Sequence, residues 1–236
     1  MSSGCWRGSC GRVRRLSTHF WVLEVLPLGS KSRHRAGRQS LKVSAYFQVM
    51  TRIIVLNGVG SVGKTSTARA LQELACEPFL HVQGDAFLDM IPSKMWGHGD
   101  GISFEQQDKN GLISIEIAMG DFLNRLMRGM RSSICALAKA GNSCLVDDVM
   151  LCSDDQRAYM AEAAFTPLQF VGLHAPLAVL EKRERERGDR LLGLARWQYE
   201  RVHRGINYDF EIDTVGRSPI DCAEAIASAL NIPIIQ

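Results

Sequence analysis

The sequence predicts an α/β fold built on a five-stranded parallel sheet with helices on both faces. From residue 50 onward, short apolar runs alternate with longer segments that place their apolar residues on one helical face. The first run, 52–57, is too short and too β-branched for a buried helix. Strands separated by helices imply a parallel sheet covered on both sides. We predict the strands at residues 52–57, 79–82, 143–148, 169–174 and 208–213.

Helical patterns fill the intervals between these strands. Residues 66–74 follow the first strand and its loop, and their apolar face continues to Ala75 through Ala68 and Leu71. The longest stripe runs from Ile115 to Lys139 and contains Ile115, Ala118, Met119, Phe122, Leu126 and Met130. Residues 97–114, rich in Gly, Asp and Gln, predict a surface loop or hairpin. Further helices are predicted at 177–187, 191–203 and 219–230.

A glycine-rich segment connects the first strand to the first helix. It fits the pattern G-x-x-x-x-G-K-[ST] and reads Gly58-Val59-Gly60-Ser61-Val62-Gly63-Lys64-Thr65, followed by Ser66. Glycines let successive backbone N–H groups turn toward a polyphosphate, and the start of the helix adds partial positive charge. Lys64 can follow the β- and γ-phosphates, and the Thr65 hydroxyl suits Mg²⁺. The segment therefore predicts binding of a nucleoside triphosphate, with ATP and Mg²⁺ expected.

Asp85 directly follows the second predicted strand. Ligands of such sheets gather at the carboxyl ends of the strands, so Gly58, Asp85 and Asp147 should share one edge. Asp85 is the candidate catalytic group that accepts the proton of the hydroxyl being phosphorylated, or it caps a helix beginning at Ala86; the two roles are compatible. An ordinary Asp pKa of ~3.9 is far below that of an alcohol. Asp85 would therefore orient the hydroxyl and take its proton late.

Asp147 and Asp148 end the third predicted strand, which is the Walker B position. One of the two is expected to hold Mg²⁺, directly or through water, and the other to hydrogen-bond backbone near the loop. Asp147 is the first choice for the metal. The sequence leaves this choice open.

Three arginines, Arg183, Arg187 and Arg190, share a helix face if the helix continues through Gly188. One interpretation is a solvated face held by Glu181–Arg185 and Glu186–Arg190 pairs. The other is a lid over the triphosphate, whose arginines neutralise charge on the transferring phosphoryl group. Gly188-Asp189 as a hinge favours the lid for Arg187 and Arg190 as catalytic residues, and Arg183 stays open.

Charge and cysteine content limit the class of protein. Of 28 Lys/Arg and 25 Asp/Glu, residues 1–49 hold nine basic residues and one acid, so residues 50–236 hold 19 basic and 24 acidic residues. An acidic domain argues against a nucleic-acid partner, and no apolar run is long enough to cross a bilayer. Seven cysteines without a C-x-x-C pair indicate neither a disulfide framework nor a zinc site, so we expect a cytoplasmic protein.

The chain is predicted to divide into a basic segment, residues 1–49, and a catalytic domain, residues 50–236. The first segment is rich in Arg, Ser and Gly and has no sustained period. It has three interpretations: an upstream segment with Met50 as the true initiator, a disordered basic tail, or an organelle-targeting peptide. No catalytic role is assigned to it.

Residues 51–229 resemble the chloramphenicol phosphotransferase family. The similar segments are 53–58 with the glycine loop, 77–80, 85–95, 146–149, Arg187-Gly188-Asp189-Arg190, and 208–214. The resemblance implies a P-loop kinase fold and ATP-dependent phosphorylation of a hydroxyl on a small molecule. It also implies that Asp85 is the catalytic base and that Arg187 and Arg190 belong to the lid. The chain departs most from the family across 96–135, the region expected to wall the acceptor site.

The acceptor is predicted less directly than the chemistry. Seven apolar residues have two interpretations: they form the wall of a pocket for a neutral aromatic ligand, or they belong to the core. They are Phe87, Met90, Ile91, Met95, Trp96, Met119 and Phe122. Chloramphenicol is the acceptor that the resemblance implies, and another antibiotic or a metabolite is the alternative. The alternative enzyme is a nucleoside or nucleotide kinase, which would need polar groups to recognise a base. A regulatory ATPase would need a partner surface.

Overall fold

The computed structural model describes residues 14–16, 20–22, 51–109, 111–164, 166–188 and 191–235. The chain divides into two compact units, Met1–Tyr46 and Phe47–Gln236. In the first unit, strand β1 (Arg14–Leu16) pairs antiparallel with β2 (Phe20–Val22). Most of the predicted basic segment lies outside the described residues, so its interpretation stays a prediction.

The second unit contains seven strands in its described part. They are β3 (Ile53–Asn57), β4 (Phe79–Gln83), β5 (Ile102–Lys109), β6 (Leu112–Met119), β7 (Ser143–Asp148), β8 (Leu168–His174) and β9 (Phe210–Asp213). Five of them form one sheet in the order β4-β7-β3-β8-β9. Every pairing within it is parallel. The predicted five-stranded parallel sheet is confirmed.

Seven α-helices accompany these strands in the described part of the chain. They are α1 (Lys64–Leu74), α2 (Gly84–Leu88), α3 (Asp121–Lys139), α4 (Ser153–Glu162), α5 (Leu177–Arg187), α6 (Leu194–Tyr199) and α7 (Pro219–Ala229). The helix predicted at 177–187 is confirmed in full. The one predicted at 191–203 is shorter, because turns replace it after Tyr199. Within the described ranges, no helix is both long enough and apolar enough to cross a membrane.

The two faces of the sheet are visible in β3, whose alternating residues belong to two separate hydrophobic clusters. Ile54 and Leu56 pack in a cluster that includes residues of α1 and α7. Ile53 and Val55 pack in a second cluster that includes residues of α3 and α4. All four β3 side chains are fully buried. Helices therefore cover both faces of the sheet, as predicted.

Residues 115–119 are not helical, and the prediction that a helix begins at Ile115 is wrong. β5 and β6 form an antiparallel hairpin, and α3 begins at Asp121. Residues i and i+4 lie on one side of both a helix and a strand, so Ile115 and Met119 fit either period. The apolar residues at 113, 115, 117 and 119 alternate strictly with Ser, Glu and Ala, which is the strand period.

Candidate active site

The glycine loop between β3 and α1 lies at the carboxyl edge of the sheet. A Cβ at Gly58 would lie 2.7 Å from the Leu173 carbonyl oxygen, so only glycine allows the loop to pass so close to β8. Gly63 precedes α1 with a φ of 109°, a conformation that favours glycine. The side chains of Val59 and Val62 are buried in the core. Because these valines anchor the loop, its backbone amides are held at the start of α1 for an anion.

The Lys64 ammonium group lies against the loop. Its Nζ donates hydrogen bonds to the carbonyl oxygens of Gly58, at 2.8 Å, and Val59, at 3.3 Å. Oδ1 of Asp147 lies 4.0 Å from the same nitrogen. The side chain is buried, with 7% of its surface exposed. Lys64 therefore brings a positive charge to the same place as the loop amides.

Asp147 faces the loop from the end of β7. The Thr65 hydroxyl donates a hydrogen bond to Oδ2 of Asp147, and Nε2 of His81 lies 3.8 Å from the same oxygen. Burial alone would raise the pKa of Asp147, but His81, Lys64 and Thr65 together outweigh it and lower that pKa. An ionised carboxylate beside a hydroxyl is a ligand pair suited to Mg²⁺. No cluster of three or more His, Cys, Asp and Glu with metal-binding geometry occurs in the described part of the chain.

Asp148, the next residue, has different partners. Its Oδ1 accepts a 2.7 Å hydrogen bond from the Val149 amide, and its Oδ2 accepts one of 2.7 Å from the Tyr159 hydroxyl. Adjacent residues of a strand point to opposite faces, which is why the two carboxylates separate. Burial raises the pKa of Asp148. The geometry supports Asp147, rather than Asp148, as the ligand for a metal. Tyr159 is a partner of Asp148 that sequence reasoning missed.

Asp85 lies in the first turn of α2, which begins at Gly84 and follows Gln83. The alternative that Asp85 caps a helix beginning at Ala86 is therefore wrong. In the sheet, β7 lies between β4 and β3, so Asp85, Asp147 and the loop follow three neighbouring strands at one edge. Asp85 lines the same cavity as Lys64, Thr65 and Asp147.

The prediction that Arg183, Arg187 and Arg190 share one face of a helix is not met. α5 ends at Arg187, and Gly188 has a φ of 68°, so the helix does not continue to position 190 as the shared face requires. Arg183 donates hydrogen bonds to the Val62 carbonyl and to the Thr214 hydroxyl, both at 3.2 Å, and so ties the glycine loop to the end of β9. Arg187 lines the cavity. Asp189 and Arg190 lie outside the described residues, and the role of Arg190 stays a prediction.

Two further polar residues were missed by sequence reasoning. Glu184 is buried at 4% exposure and accepts hydrogen bonds from the amides of Gly193, at 2.9 Å, and Ala195, at 2.7 Å. Gln198 accepts a 2.7 Å hydrogen bond from the Gly60 amide. Glu184 stands in a run of charged residues that suggests a solvated helix. Nothing in that run distinguishes Glu184 from its exposed neighbours.

One cavity of about 1100 Å³ joins the loop to an apolar wall. The wall consists of Trp96, Ile102, Phe104, Ile117, Met119, Leu123 and Met127. The rings of Trp96 and Phe104 stack with centroids 6.1 Å apart. Of the seven wall residues predicted from sequence, two, Trp96 and Met119, line the cavity. The β5–β6 hairpin, part of which was predicted to be helical, supplies much of the remaining wall.

The other five predicted wall residues belong elsewhere: Phe87 packs against the core cluster under α3 and α4, and Met95 packs against a smaller cluster. Ile91 is buried in a small core cluster, and Phe122 packs against that cluster. Met90 is 63% exposed. The core interpretation is correct for Ile91 because the α2 region folds back on α3. The apolar wall of the cavity is therefore built mainly by β5, β6 and α3.

A parallel sheet of order β4-β7-β3-β8-β9, with the glycine loop between β3 and α1, is the architecture of the P-loop kinases. The fold and the site thus define a phosphotransferase of the P-loop kinase class. Residues 51–231 match the family model described as chloramphenicol phosphotransferase-like protein. The chain belongs to this chloramphenicol phosphotransferase-like family.

Relatives agree with this assignment. A Mycobacterium tuberculosis protein named "Putative O-phosphotransferase" is 30% identical over 172 residues, which covers 69% of this chain and 75% of the relative. A sugar kinase from Janibacter sp. superposes with a TM-score of 0.55 at 19% identity, covering 77% of this chain and 95% of that chain. The Mycobacterium tuberculosis APS kinase in complex with AMPPNP and APS gives 0.53 at 14% identity, covering 77% and 98%. The two solved structures share the fold.

Proposed function

We propose that this protein transfers the γ-phosphoryl group of ATP to a hydroxyl group of a small uncharged alcohol. The observation that carries the proposal is one cavity with three parts: the glycine loop, Asp85, and an apolar wall. A phosphate donor and an apolar acceptor could occupy it together. The family makes chloramphenicol the first acceptor to test.

The loop end of the cavity is suited to the triphosphate of ATP. The backbone amides at the start of α1 and the Lys64 ammonium group supply positive charge there. Thr65 and Asp147 would hold Mg²⁺. When bound, the metal neutralises charge on the phosphates. Arg187, on the same cavity, would stabilise charge on the transferring group.

Asp85 would position the acceptor. In the transfer, a bond forms between the acceptor oxygen and the γ-phosphorus, and the bond to the β–γ bridging oxygen breaks with its electron pair staying on ADP. The hydroxyl proton passes to the Asp85 carboxylate. Because an alcohol is a far weaker acid than a carboxylic acid, this proton moves late, after bonding to phosphorus has begun.

The charges around the cavity indicate the class of acceptor. Among its described lining residues, the cations are Lys64, at the start of α1, and Arg183 and Arg187 of α5. The lining residues contributed by β5, β6 and α3 are apolar, and Asp85 and Asp89 stand beside them. An anionic acceptor beside this wall would meet carboxylates and desolvation, and the described residues of the wall itself offer no cation to compensate. An uncharged alcohol with an apolar or aromatic body fits best.

Incubation with Mg²⁺ and ATP and a panel of antibiotics and alcohols, chloramphenicol included, tests the proposal by mass spectrometry of the acceptor. A phosphate ester of an uncharged alcohol, formed by the native protein and abolished in Lys64→Ala, supports it. Phosphorylation of nucleosides or nucleotides alone would indicate a nucleoside or nucleotide kinase instead. Nucleotide binding with no acceptor-dependent turnover across the panel would favour a regulatory ATPase.

A cytoplasmic location is part of the proposal. Five cysteines lie in the described residues, and all five are free thiols. Free thiols agree with a reducing compartment. ATP is also available in that compartment.

A further inference from the structure

Gln198 is a buried side chain whose amide group has a defined orientation. It lies on α6 and is 6% exposed. Its Oε1 accepts the Gly60 amide at 2.7 Å. Because a backbone N–H can only donate, the oxygen of the side-chain amide must face the loop and the nitrogen must face away from it.

The nitrogen, Nε2, carries two N–H donors that make no hydrogen bond to the described part of the chain. Nε2 is not fully enclosed by the protein, so solvent reaches it. Gln198 lines the same cavity as Lys64, Asp85 and Arg187. Buried donors are normally paired, and solvent reaches these two, so a ligand that enters the cavity can replace water as their partner.

Gln156 provides the contrast. It has the same exposure, 6%, but both ends of its amide are satisfied by one residue. Its Nε2 donates to the Asn207 carbonyl at 2.6 Å, and its Oε1 accepts the Asn207 amide at 3.1 Å. Gln156 is therefore a structural glutamine, whereas Gln198 keeps two donors available at the cavity.

Gln198 is held rigidly relative to the arginines of α5. Both carboxylate oxygens of Glu184, a residue of α5, accept amides at the start of α6, those of Gly193 and Ala195. Glu184 lies between Arg183 and Arg187 in sequence. A donor fixed in advance stabilises developing charge without reorganising during the reaction.

We propose that Nε2 of Gln198 donates a hydrogen bond to a non-bridging oxygen of the γ-phosphoryl group of ATP, which makes Gln198 a further catalytic residue. This rests on the proposed function. In such loops the backbone amides cradle the α- and β-phosphates, and the lysine reaches the β- and γ-phosphates. Gln198, tied to Gly60 in the cavity that holds Asp85 and Arg187, is placed for the terminal group. Gln198 gains and loses no proton in the transfer.

The test compares ADP with AMPPNP, an ATP analogue that resists transfer, by calorimetry in the presence of Mg²⁺. Two variants are used because Gln198→Met removes both ends of the amide, while Gln198→Glu keeps an oxygen for Gly60. In both, AMPPNP affinity is expected to fall about tenfold or more relative to ADP affinity, since only AMPPNP carries the γ-group. Gln156→Met is the matched control and should leave the ratio of the two affinities unchanged.

The results of these titrations separate a failure of the Gln198 assignment from a failure of the proposed function. If Gln198→Met weakens ADP and AMPPNP equally, or weakens neither, the assignment of Gln198 to the γ-phosphoryl group is overturned. Retained ADP binding shows in the same measurement that the variant is folded. If the native protein binds neither nucleotide, the proposed function itself is overturned. The two failures are thereby distinguished.

Discussion

Tyr159 donates a 2.7 Å hydrogen bond to Oδ2 of Asp148, and the two side chains are buried at 1% and 7% exposure. The contact joins α4 to the end of β7. Burial raises the pKa of the Asp148 carboxyl, and burial with the nearby Asp148 charge raises the pKa of Tyr159 well above its usual value. Asp148 therefore stabilises the carboxyl edge of the sheet, while Asp147 beside it faces the loop.

Tyr159→Phe should lower the free energy of unfolding by about 1–3 kcal/mol, because a buried carboxylate loses a hydrogen bond. Urea unfolding measures the change. Tyr199→Phe, at a side chain that is 44% exposed, is the control and should stay within about 0.5 kcal/mol of the native protein. Equal stability of the two variants would contradict a structural role for the Tyr159–Asp148 contact.

Asp147→Asn and Asp148→Asn should have separable effects. Asp147→Asn removes the ionised carboxylate beside Thr65, so the Mg²⁺-dependent part of nucleotide affinity should fall by at least about tenfold. Asp148→Asn should change the unfolding free energy and leave the Mg²⁺ dependence close to native. Calorimetric nucleotide titrations with and without Mg²⁺ measure the difference. Loss of Mg²⁺ dependence only in Asp148→Asn would reverse the assignment.

Asp85→Asn should lower kcat by roughly 10²–10⁴-fold while nucleotide affinity is retained, because the amide cannot accept the hydroxyl proton. The readout is acceptor-dependent ADP release together with a nucleotide-binding titration. Asp89→Asn is the matched control, since Asp89 also lines the cavity just after α2. Native turnover in Asp85→Asn would remove this carboxylate from the chemistry.

The stability of the protein should fall between about pH 6.5 and pH 4, in part through His203. Burial, followed by the neighbouring His174 and Lys64 charges, lowers the pKa of His203 from 6.5 to about 4. In this window the unfolded chain binds a proton that the folded chain does not, so acidification favours unfolding. His203→Asn, which keeps an acceptor for the Tyr208 hydroxyl, should flatten this part of the pH profile.

Urea unfolding at about pH 7.5 and about pH 5 measures the slope for both proteins. The comparison at the higher pH is the internal control, because His203 is neutral there in both states. If His203→Asn kept the full native decline between the two values, another group would be responsible for it.

The sequence predicted the strands of the sheet well, because each strand is a short local run with its own period. It also placed Asp85 and Asp147 at the same edge of the sheet as the glycine loop. It failed where two periods coincide, as at Ile115 and Met119, since four residues return to the same side of a helix and of a strand. It also failed at Gly188, where a left-handed residue ends α5 before position 190.

Local sequence alone determined the glycine loop, the five strands of the parallel sheet, and the resemblance to a kinase family, because those features depend on residues that are adjacent in the chain. Only the tertiary structure separated Asp147 from Asp148, built the acceptor wall from a hairpin, and brought Gln198 to Gly60. Thr65 meets Asp147 across 82 positions, and Gln198 meets Gly60 across 138. Contacts over such distances follow from how the helices pack on the sheet, and no local pattern encodes them.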